Sequence, residues 1–509
     1  MKLAEIFTDH MVFQAEKEIR IFGSGVGTGF VQFLGKRYNI DADSDKWFVT
    51  IPPYGYGGPY EMEIVLEDKH YFLSNIYIGE VWFVSGQSNM EMPLYRVENG
   101  FDDAKAAQDN LIRLYSVPKR VEKNTPSYGW HFEKTFSHNT SWSICNEKTA
   151  LHFSAIGYYV AEFLRKNLGV ALGIIACDWC GTPIETFIGR DYFYGNPVLE
   201  PIINEHNELV RDIGKEKEIS ILNNDLKKFE EYCKSIDYDE VERAREIGLM
   251  ATSAPPKELL VYSPGRYNPC APACLYESMI EPILPYVFKG IIWYQGEANS
   301  GEGYLEKLQT FIHCMRTVFN DDTLPFHIIE LASFCVDGQD DVSDRFVTAK
   351  YNWAFVREAQ YKMAKSDSYT YVTTNMGLGD LYDIHPPRKK ELSRRLVKKI
   401  LRHTYNRNIF ADQPEYEAME IIGSEVNIKL KNADGLFSDN LGAVKIYIAG
   451  NDRVLKRASV KICGDSLVLS SDDVAKPVLA RFAFDYCYKG CNLYNSAGLP
   501  LAPFRTDCL

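Results

Sequence analysis

Residue types that an acyl-transfer site needs follow successive apolar runs of this sequence. Such a site needs a nucleophile, a base, an acid that orients the base, and donors for the oxyanion. Ser88 lies shortly after the apolar run Val81–Val84, and Gly86 between them permits a tight turn. Gly181 and Gln295 follow two further apolar runs and can offer amide N–H groups. These residues could together hydrolyse an acyl compound by nucleophilic attack.

A candidate base and its orienting acid stand two residues apart, at His385 and Asp383. Pro386 follows the histidine and pushes it toward extended backbone. In extended backbone, residues i and i+2 point to the same side, so one loop could present both side chains. Other histidines compete poorly as the base, because His327 lies in an apolar run and His10 in a β-rich region.

Each feature also has an ordinary structural interpretation. A serine after a strand is most often a turn residue, and an Asp–His pair can brace a loop. Gly181 could be a steric requirement, and Gln295-Gly296-Glu297 could begin a helix. The joint occurrence of these features after successive strands favours the catalytic interpretation. The sequence lacks a G-x-S-x-G elbow, which disfavours the α/β-hydrolase family.

The elements that must position these residues alternate between strand-like and helical patterns from about residue 76 to 405. The predicted strands are Val81–Val84, Val170–Ala176, Gly290–Tyr294, Phe326–Leu331 and Tyr369–Thr373. The predicted helices, with apolar residues at three- and four-residue spacing, are Ser154–Lys166, Tyr304–Phe319, Tyr351–Lys365 and Lys390–His403. Continuous apolar strands that alternate with helices predict an α/β domain with a parallel sheet buried on both faces. Its active site is expected outside the carboxyl ends of the strands.

Two β-rich modules flank this segment. Short β runs separated by glycine-rich turns predict an N-terminal module over residues 1–75, and similar signals predict a C-terminal module over 406–509. A charged stretch at about 200–250 predicts a helical insertion in the 76–405 domain.

Composition excludes several classes of function. The 509 residues are 46% hydrophobic and 25% charged, as in ordinary globular proteins. A net charge of −13 disfavours nucleic acid as a partner. No apolar stretch approaches the roughly 18 residues of a membrane span. A homo-oligomer is left open.

The amino terminus and the cysteines indicate a cytoplasmic protein. The segment Met1–Gln14 lacks a basic region followed by a long apolar run, although a leader could have been removed. The twelve cysteines are irregularly spaced and are predicted to be free thiols. Cys177 and Cys180 form a C-x-x-C without a second matched pair or nearby histidines, so no metal site and no cofactor is predicted.

The sequence resembles the bacterial sialate O-acetylesterase family, which are carbohydrate esterases of the SGNH-hydrolase superfamily. The resemblance covers nearly the whole chain, and the serine motif and the Gln-Gly-Glu motif together are specific. The matching segments are Asp9–Gln14, Gly86–Pro93, Phe153–Ala155, Gly181–Glu185, Trp293–Asn299, Arg357–Gln360, Asp383–Pro386 and Asn492–Asp507.

The resemblance implies an SGNH-like three-layer α/β/α domain that hydrolyses acetyl esters on sugars without a metal. It implies Ser88 as nucleophile, His385 as base and Asp383 as its orienting acid. The implied oxyanion donors are the Ser88 amide, Gly181 and Gln295. Candidate substrate-binding residues are Gln87, Glu297 and Arg357.

Two departures from the family pattern concern the sugar pocket. Cys180 stands where the family usually has the first glycine of a pair, and Glu277 follows Leu275-Tyr276 where the family usually has asparagine. Both bear on the substrate more than on the reaction. Sialic acid is the first expected substrate and acetylated xylan or another polysaccharide the second. A third hypothesis is a catalytically inactive carbohydrate-binding protein, which the intact Ser88, Asp383 and His385 set disfavours.

Overall fold

The apolar runs form β-strands and the amphipathic patterns form helices, which gives a mixed α/β fold. A computed structural model describes residues 1–122, 141–234, 264–299, 301–334, 353–380, 382–485, 488 and 492–507. The chain divides into two units. Unit 1 comprises Met1–Ile292 with Gln309–Leu324, and unit 2 comprises Trp293–Leu308 with Pro325–Leu509.

The strands of unit 1 are β1 (Lys2–Leu3), β2 (Val12–Gln14), β3 (Ile19–Ser24), β4 (Gly27–Phe33), β5 (Lys36–Ala42), β6 (Lys46–Ile51), β7 (Gly57–Leu66), β8 (Lys69–Gly86), β9 (Asp109–Ser116), β10 (Ser143–Cys145) and β11 (Leu172–Asp178). Strand β12 (Gly290–Tyr294) carries the boundary between the units. The strands of unit 2 are β13 (Phe326–Ile329), β14 (Thr370–Thr373), β15 (Glu415–Ile422), β16 (Glu425–Lys431), β17 (Ile446–Ala449), β18 (Lys456–Arg457), β19 (Ser459–Cys463), β20 (Ser466–Ser470), β21 (Leu479–Phe482) and β22 (Phe504–Arg505).

The α-helices are α1 (Ser88–Glu91), α2 (Gly100–Lys105), α3 (Glu147–Leu151), α4 (Ala155–Leu168), α5 (Glu200–Ile213), α6 (Lys215–Lys234), α7 (Tyr304–Phe319), α8 (Trp353–Ser366) and α9 (Lys389–His403). The predicted strands and helices thus all have observed counterparts. Residues 351–352 of the predicted third helix and 235–250 of the predicted insertion lie outside the described residues.

Strand β8 joins the N-terminal β-rich region to the central sheet of unit 1. Its first half pairs antiparallel with β7, from Leu66 opposite Lys69 onward. Its second half lies parallel to β11, from Glu80 opposite Leu172 to Gly86 opposite Asp178. All 18 residues form one strand, so the predicted boundary at 75/76 falls within a single element.

The sheet of unit 1 is mixed rather than purely parallel. Strand β11 lies between β8 and β9 and is parallel to both. Strand β10 then pairs antiparallel with β9 at an edge. All seven residues of β11 are buried, as expected for a strand covered on both faces. Helix α4 packs on this sheet through its apolar side, which includes Ile156, Val160 and Leu164.

Unit 2 combines parallel strands with a sandwich of two antiparallel sheets. Strands β13 and β14 are parallel, with Phe326 opposite Thr370. Further along the chain, one sheet has the order β15-β16-β20-β19 and the other β18-β17-β21-β22. Alternating residues of both sheets form one buried core, which includes Val426, Ile428, Leu467, Ile446, Ile448 and Phe482.

Helix α9 shows the expected amphipathic pattern. Leu392, Leu396, Val397 and Ile400 are buried on one side. None of the helices within the described residues has both the length and the apolar character needed to cross a bilayer. Seven cysteines whose side chains the structure describes are free thiols, namely Cys145, Cys177, Cys180, Cys270, Cys274, Cys314 and Cys463.

Candidate active site

Ser88 lies in a tight turn between a buried strand and a one-turn helix. Strand β8 ends at Gly86, whose φ of 147° is a conformation that a side chain would strain. Gln87 follows, and Ser88 is the first residue of α1. The predicted turn is confirmed, and Gly86 permits its backbone.

Ser154 fixes this turn from the neighbouring helix. Its hydroxyl donates to the backbone oxygen of Met90 at 2.6 Å and accepts the N–H of Gly157 at 3.1 Å, so that it also caps α4. The N–H of Ala155 donates to the oxygen of Met92 at 2.9 Å. The motif Phe153-Ser154-Ala155, for which the sequence predicted no role, therefore holds the helix that begins with Ser88.

Gly181 lies on the loop that follows the neighbouring strand. The register places Asp178 opposite Gly86, and the N–H of Trp179 donates to the oxygen of Gly86 at 3.1 Å. The strand ends that precede Ser88 and Gly181 are therefore level. Gly181 has a φ of 70° and is exposed, and a Cβ there would meet no atom within 4 Å. Backbone conformation, rather than crowding, favours glycine at this position.

A compact group of charges lies beside the Ser88 turn. Lys119 Nζ is 2.5 Å from Glu91 Oε1 and 3.7 Å from Asp178 Oδ1. All three side chains are largely buried. Burial alone would lower the pKa of Lys119, but the two carboxylates outweigh burial and raise it well above its ordinary value. Lys119 is therefore a charged ammonium at any physiological pH.

Gln295 follows strand β12 and is fully buried. Its Nε2 donates to Asn299 Oδ1 at 2.6 Å, and its Oε1 accepts the hydroxyl of Tyr304 at 2.9 Å. Gln360 Nε2 approaches the backbone oxygen of Gln295 at 3.4 Å. The side-chain amide is therefore held in one orientation, as a fixed hydrogen-bond donor requires.

Asp383 and His385 lie close together in unit 2, on the loop between β14 and α9. Asp383 Oδ1 is 3.8 Å from His385 Nδ1 and accepts the backbone N–H of His385 at 2.8 Å. The segment is a bend closed by this hydrogen bond, not the extended backbone that was predicted. The carboxylate thus faces the imidazole nitrogen that an orienting acid would contact, at a distance longer than a hydrogen bond.

Residues around Tyr294 bring the Gln295 segment and the histidine loop together within unit 2. Asn375, just after β14, donates through Nδ2 to the Tyr294 hydroxyl at 2.9 Å. The Nζ of Lys389, at the start of α9, lies 5.0 Å from the Tyr294 ring. Both ends of the loop that carries His385 are thereby tied to the residue that precedes Gln295.

The three candidate substrate-binding residues have different environments. Gln87 is buried at the start of α1, and Glu297 is half-buried after Gln295. Arg357 is fully buried, and its guanidinium donates to the backbone oxygens of Ala332 and Asp485. These contacts give Arg357 a bracing role in the core of unit 2.

The two positions that depart from the family pattern both lie in unit 1. Burial raises the pKa of the Cys180 thiol, so this thiol is protonated. The neighbouring Cys270 Sγ lies 3.5 Å from the oxygen of Gly181. Glu277 Oε1 accepts Arg190 Nε at 2.7 Å.

The parts of the chain that the structure describes contain no group of three or more His, Cys, Asp or Glu side chains that could hold a metal ion.

Comparison with protein families and curated proteins connects the chain to acetylesterases. Residues 231–402 match the family model of carbohydrate esterases described as sialic acid-specific acetylesterase. Human sialate O-acetylesterase is 24% identical over 507 residues, which cover 92% of this chain and 84% of the human protein. The rat sialate O-acetylesterase is 23% identical over 365 residues, which cover 67% of this chain and 62% of the rat protein. These relatives are mammalian, so the bacterial branch of the family stays a prediction.

Comparison with solved structures also finds a carbohydrate acetylesterase. A carbohydrate acetylesterase from Xanthomonas citri matches with a TM-score of 0.77 and 26% identity, and the match covers 100% of both chains. The chain is therefore similar to sialate O-acetylesterases and to a carbohydrate acetylesterase over almost its whole length.

Proposed function

We propose that this chain is a serine esterase in which Ser88, His385 and Asp383 act together on an acetylated sugar. Hydrolysis of O-acetyl esters on carbohydrates is the activity that the comparisons support. The observation that carries the catalytic assignment is the Ser88 turn, where a buried strand, a positive-φ glycine and the Ser154 contact fix one serine at a strand end.

In the first half of the proposed reaction, His385 accepts the proton of Ser88 Oγ while that oxygen attacks the acetyl carbonyl carbon. The C=O electron pair moves to oxygen and gives a tetrahedral oxyanion. The amides of Ser88 and Gly181 and the side chain of Gln295 are its proposed donors. Collapse expels the sugar oxygen, which takes the proton from His385 and leaves acetyl-Ser88.

In the second half, His385 takes a proton from water, whose oxygen attacks acetyl-Ser88. Collapse of the second tetrahedral species transfers the proton from His385 to the Ser88 oxygen and releases acetic acid, which ionises to acetate in solution. Asp383 stabilises the imidazolium in both halves and selects the tautomer with its proton on Nδ1. A rotation of the Asp383 side chain that shortens the present 3.8 Å separation would complete this contact, as often happens when substrate binds.

The finer parts of the proposal concern the substrate and the architecture. We propose sialic acid as the acetylated sugar, because the family model and the curated relatives carry that specificity in their descriptions. We propose the three-layer α/β/α arrangement of SGNH hydrolases for residues 76–405. The β-rich modules 1–75 and 406–509 would then support the domain without catalytic residues of their own. A cytoplasmic location stays a prediction.

The test compares Ser88→Ala with Ser44→Ala, which removes an exposed serine hydroxyl in the same unit. We expect Ser88→Ala and His385→Ala each to lower kcat for p-nitrophenyl acetate by several powers of ten, and the double variant to lose little more. Ser44→Ala should behave as wild type. A folded Ser88→Ala protein with near-native turnover would overturn the mechanism.

The substrate is tested by comparing kcat/KM for O-acetylated sialic acid and acetylated xylan. Preference for sialic acid supports the proposal. A higher kcat/KM for acetylated xylan would make xylan the substrate and leave the proposed reaction unchanged. Binding of either saccharide with no hydrolysis of any acetyl ester would instead indicate a carbohydrate-binding protein.

A further inference from the structure

Lys119 lies where three loops of unit 1 meet, at the carboxyl ends of neighbouring strands. It comes three residues after the end of β9, and the N–H of Val117 ties this loop to the end of β11 by donating to the oxygen of Ala176 at 2.8 Å. Its ammonium contacts Glu91, the last residue of the helix that begins with Ser88. It also approaches Asp178, the last residue of β11, and lies 6.0 Å from the Trp179 ring.

Glu91 and Asp178 each lie three residues from a residue of the proposed catalytic site. Glu91 is three residues after Ser88, within the same turn of helix. Asp178 is three residues before Gly181. A cation between these carboxylates therefore links the backbone of the nucleophile to the backbone of a proposed oxyanion donor.

Stability alone does not explain a buried charge cluster of this kind. The exposed fractions of the Lys119, Glu91 and Asp178 side chains are 13%, 22% and 9%. Although the two carboxylates keep Lys119 charged, apolar replacements of whole buried ion pairs are often neutral or stabilising, so the burial of these charges is weak evidence for a purely stabilising role. A better explanation for this charge cluster is that it fixes the relative positions of the residues it joins.

We propose that Lys119 is a positioning residue, which sets the distance between the Ser88 turn and the Gly181 loop through Glu91 and Asp178. The inference rests on the proposed function, since it concerns the same nucleophile and oxyanion donor. A misplacement of reacting groups by about 1 Å can cost about 10²-fold in rate.

The experiment compares Lys119→Met with Lys17→Met. Lys17 is the matched control, because its Nζ pairs with Asp321 at 2.6 Å in the same unit and belongs to none of the three loops. For p-nitrophenyl acetate, we expect Lys119→Met to lower kcat by about 10–100-fold with KM within about twofold. Lys17→Met should lower the melting temperature and leave kcat unchanged. Lys119→Arg keeps the charge and should restore a large part of kcat.

A fluorophosphonate probe separates positioning from loss of folded protein. We expect Lys119→Met to bind about one probe per chain, as wild type does, but to react more slowly. Labelling reduced in proportion to kcat would mean that part of the protein is unfolded, and would overturn the proposal. An unchanged kcat in folded Lys119→Met would overturn it as well.

Glu91→Gln tests the same positioning role with a second variant, which can be measured even if Lys119→Met does not fold. This isosteric change removes one carboxylate charge and should also lower kcat with little change in KM. The Lys119→Met/Glu91→Gln double variant should lose less than the product of the two single losses, because both act through one contact. Multiplicative losses would contradict the proposal. An inactive Ser88→Ala with a fully active Lys119→Met would refute the positioning role and leave the esterase assignment in place.

Discussion

The hydroxyl of Tyr304 donates to the side-chain oxygen of Gln295 at 2.9 Å and lies 3.2 Å from the backbone oxygen of the same residue. One buried hydroxyl thus contacts both ends of Gln295. Since Oε1 accepts Tyr304 and Nε2 gives one hydrogen to Asn299, the direction of the other Nε2 hydrogen is fixed as well. Tyr304 is therefore a positioning residue for the proposed oxyanion donor.

Tyr304→Phe should lower kcat for an acetyl ester by about tenfold with little change in KM. Its effect should be smaller than that of Gln295→Ala, for which loss of an oxyanion donor predicts about 10²–10³-fold. Tyr371→Phe is the control, because it removes a hydroxyl that donates to Ser368 on the exposed side of β14. Steady-state kinetics of the three variants measure whether the loss of kcat is largest in Gln295→Ala, smaller in Tyr304→Phe and absent in Tyr371→Phe. Equal kcat values for Gln295→Ala and wild type would remove Gln295 from the oxyanion site.

Exposed Tyr382 is expected to contact the sugar. It directly precedes Asp383, its side chain is 68% exposed, and its backbone N–H donates to Asp380 Oδ1 at 2.8 Å. An exposed aromatic ring on the loop that carries the proposed base could stack on a sugar ring. Tyr382→Ala should raise KM for an acetylated saccharide by about tenfold, equivalent to roughly 1.4 kcal/mol. Hydrolysis of p-nitrophenyl acetate should be unaffected, and Tyr382→Phe should behave as wild type with both substrates. Equal losses with both substrates would assign Tyr382 to the loop structure instead.

Glu330 is a buried carboxyl group that holds the chain just after β14. Its Oε2 accepts Thr374 Oγ1 at 2.8 Å and the N–H of Asn375 at 2.9 Å. Burial raises its pKa, against the opposing effects of Arg357 and these hydrogen bonds. Folding therefore favours the protonated form. This stabilisation is complete below the unfolded pKa of about 4.3 and is lost as the pH rises through the folded pKa.

Glu330→Gln removes this titration while keeping an oxygen acceptor. Relative to wild type, the variant should gain in unfolding free energy as the pH increases above about 4. Urea unfolding at several pH values measures the difference. A difference that does not vary with pH would mean that Glu330 does not titrate in this range.

Asp412 should dominate acid destabilisation of unit 2. Its Oδ1 lies 3.2 Å from Lys399 Nζ and 2.8 Å from His403 Nε2, and its Oδ2 lies 2.9 Å from Arg402 Nε. Burial alone would raise the pKa of Asp412, but the hydrogen bonds and charges of His403 and Lys399 hold it well below its ordinary range. The resulting stabilisation is present above the unfolded pKa of about 3.9 and is lost as the pH falls through the folded pKa.

At neutral pH, Asp412→Asn should reduce the unfolding free energy by about 3 kcal/mol, since it leaves the buried Lys399 ammonium without this carboxylate. The difference from wild type should shrink below about pH 4. Glu417→Gln is the control, because its 2.8 Å pair with Lys429 is exposed and should have no measurable effect. Similar unfolding curves for Asp412→Asn and Glu417→Gln would contradict the prediction.

Local patterns in the sequence were sufficient for the elements and for the serine turn. The predicted β12 and α7 have the observed bounds, because a fully apolar run and a three- and four-residue apolar spacing are local signals. Gly86 has the positive φ that the turn requires. The bend at Asp383 was not predicted, because the sequence does not show that its carboxylate would accept the N–H of His385 instead of pointing alongside the imidazole.

Contacts between distant segments could not be predicted. The Lys119 cluster joins positions 91, 119 and 178, and the Ser154 contact joins positions 90 and 154. Neither set of contacts has a periodic or spacing signal in the sequence, because each depends on which elements are neighbours in the fold. Tyr304 was assigned to a helix from its spacing, yet its hydroxyl has a role at Gln295 that spacing alone does not reveal.

Strand β8 has a consequence for how this protein can be divided. At about 3.3 Å per residue, its 18 residues extend over roughly 60 Å, from the hairpin with β7 to the residue two before Ser88. Removal of residues 1–75 would cut strand β8 within its length. It would also remove β2 and β7, which pair with the part of β8 that remains. Fraying at the new end would then propagate along one continuous backbone toward the nucleophile. The amino-terminal module and the serine turn are therefore expected to gain and lose amide-exchange protection together, as a single cooperative unit.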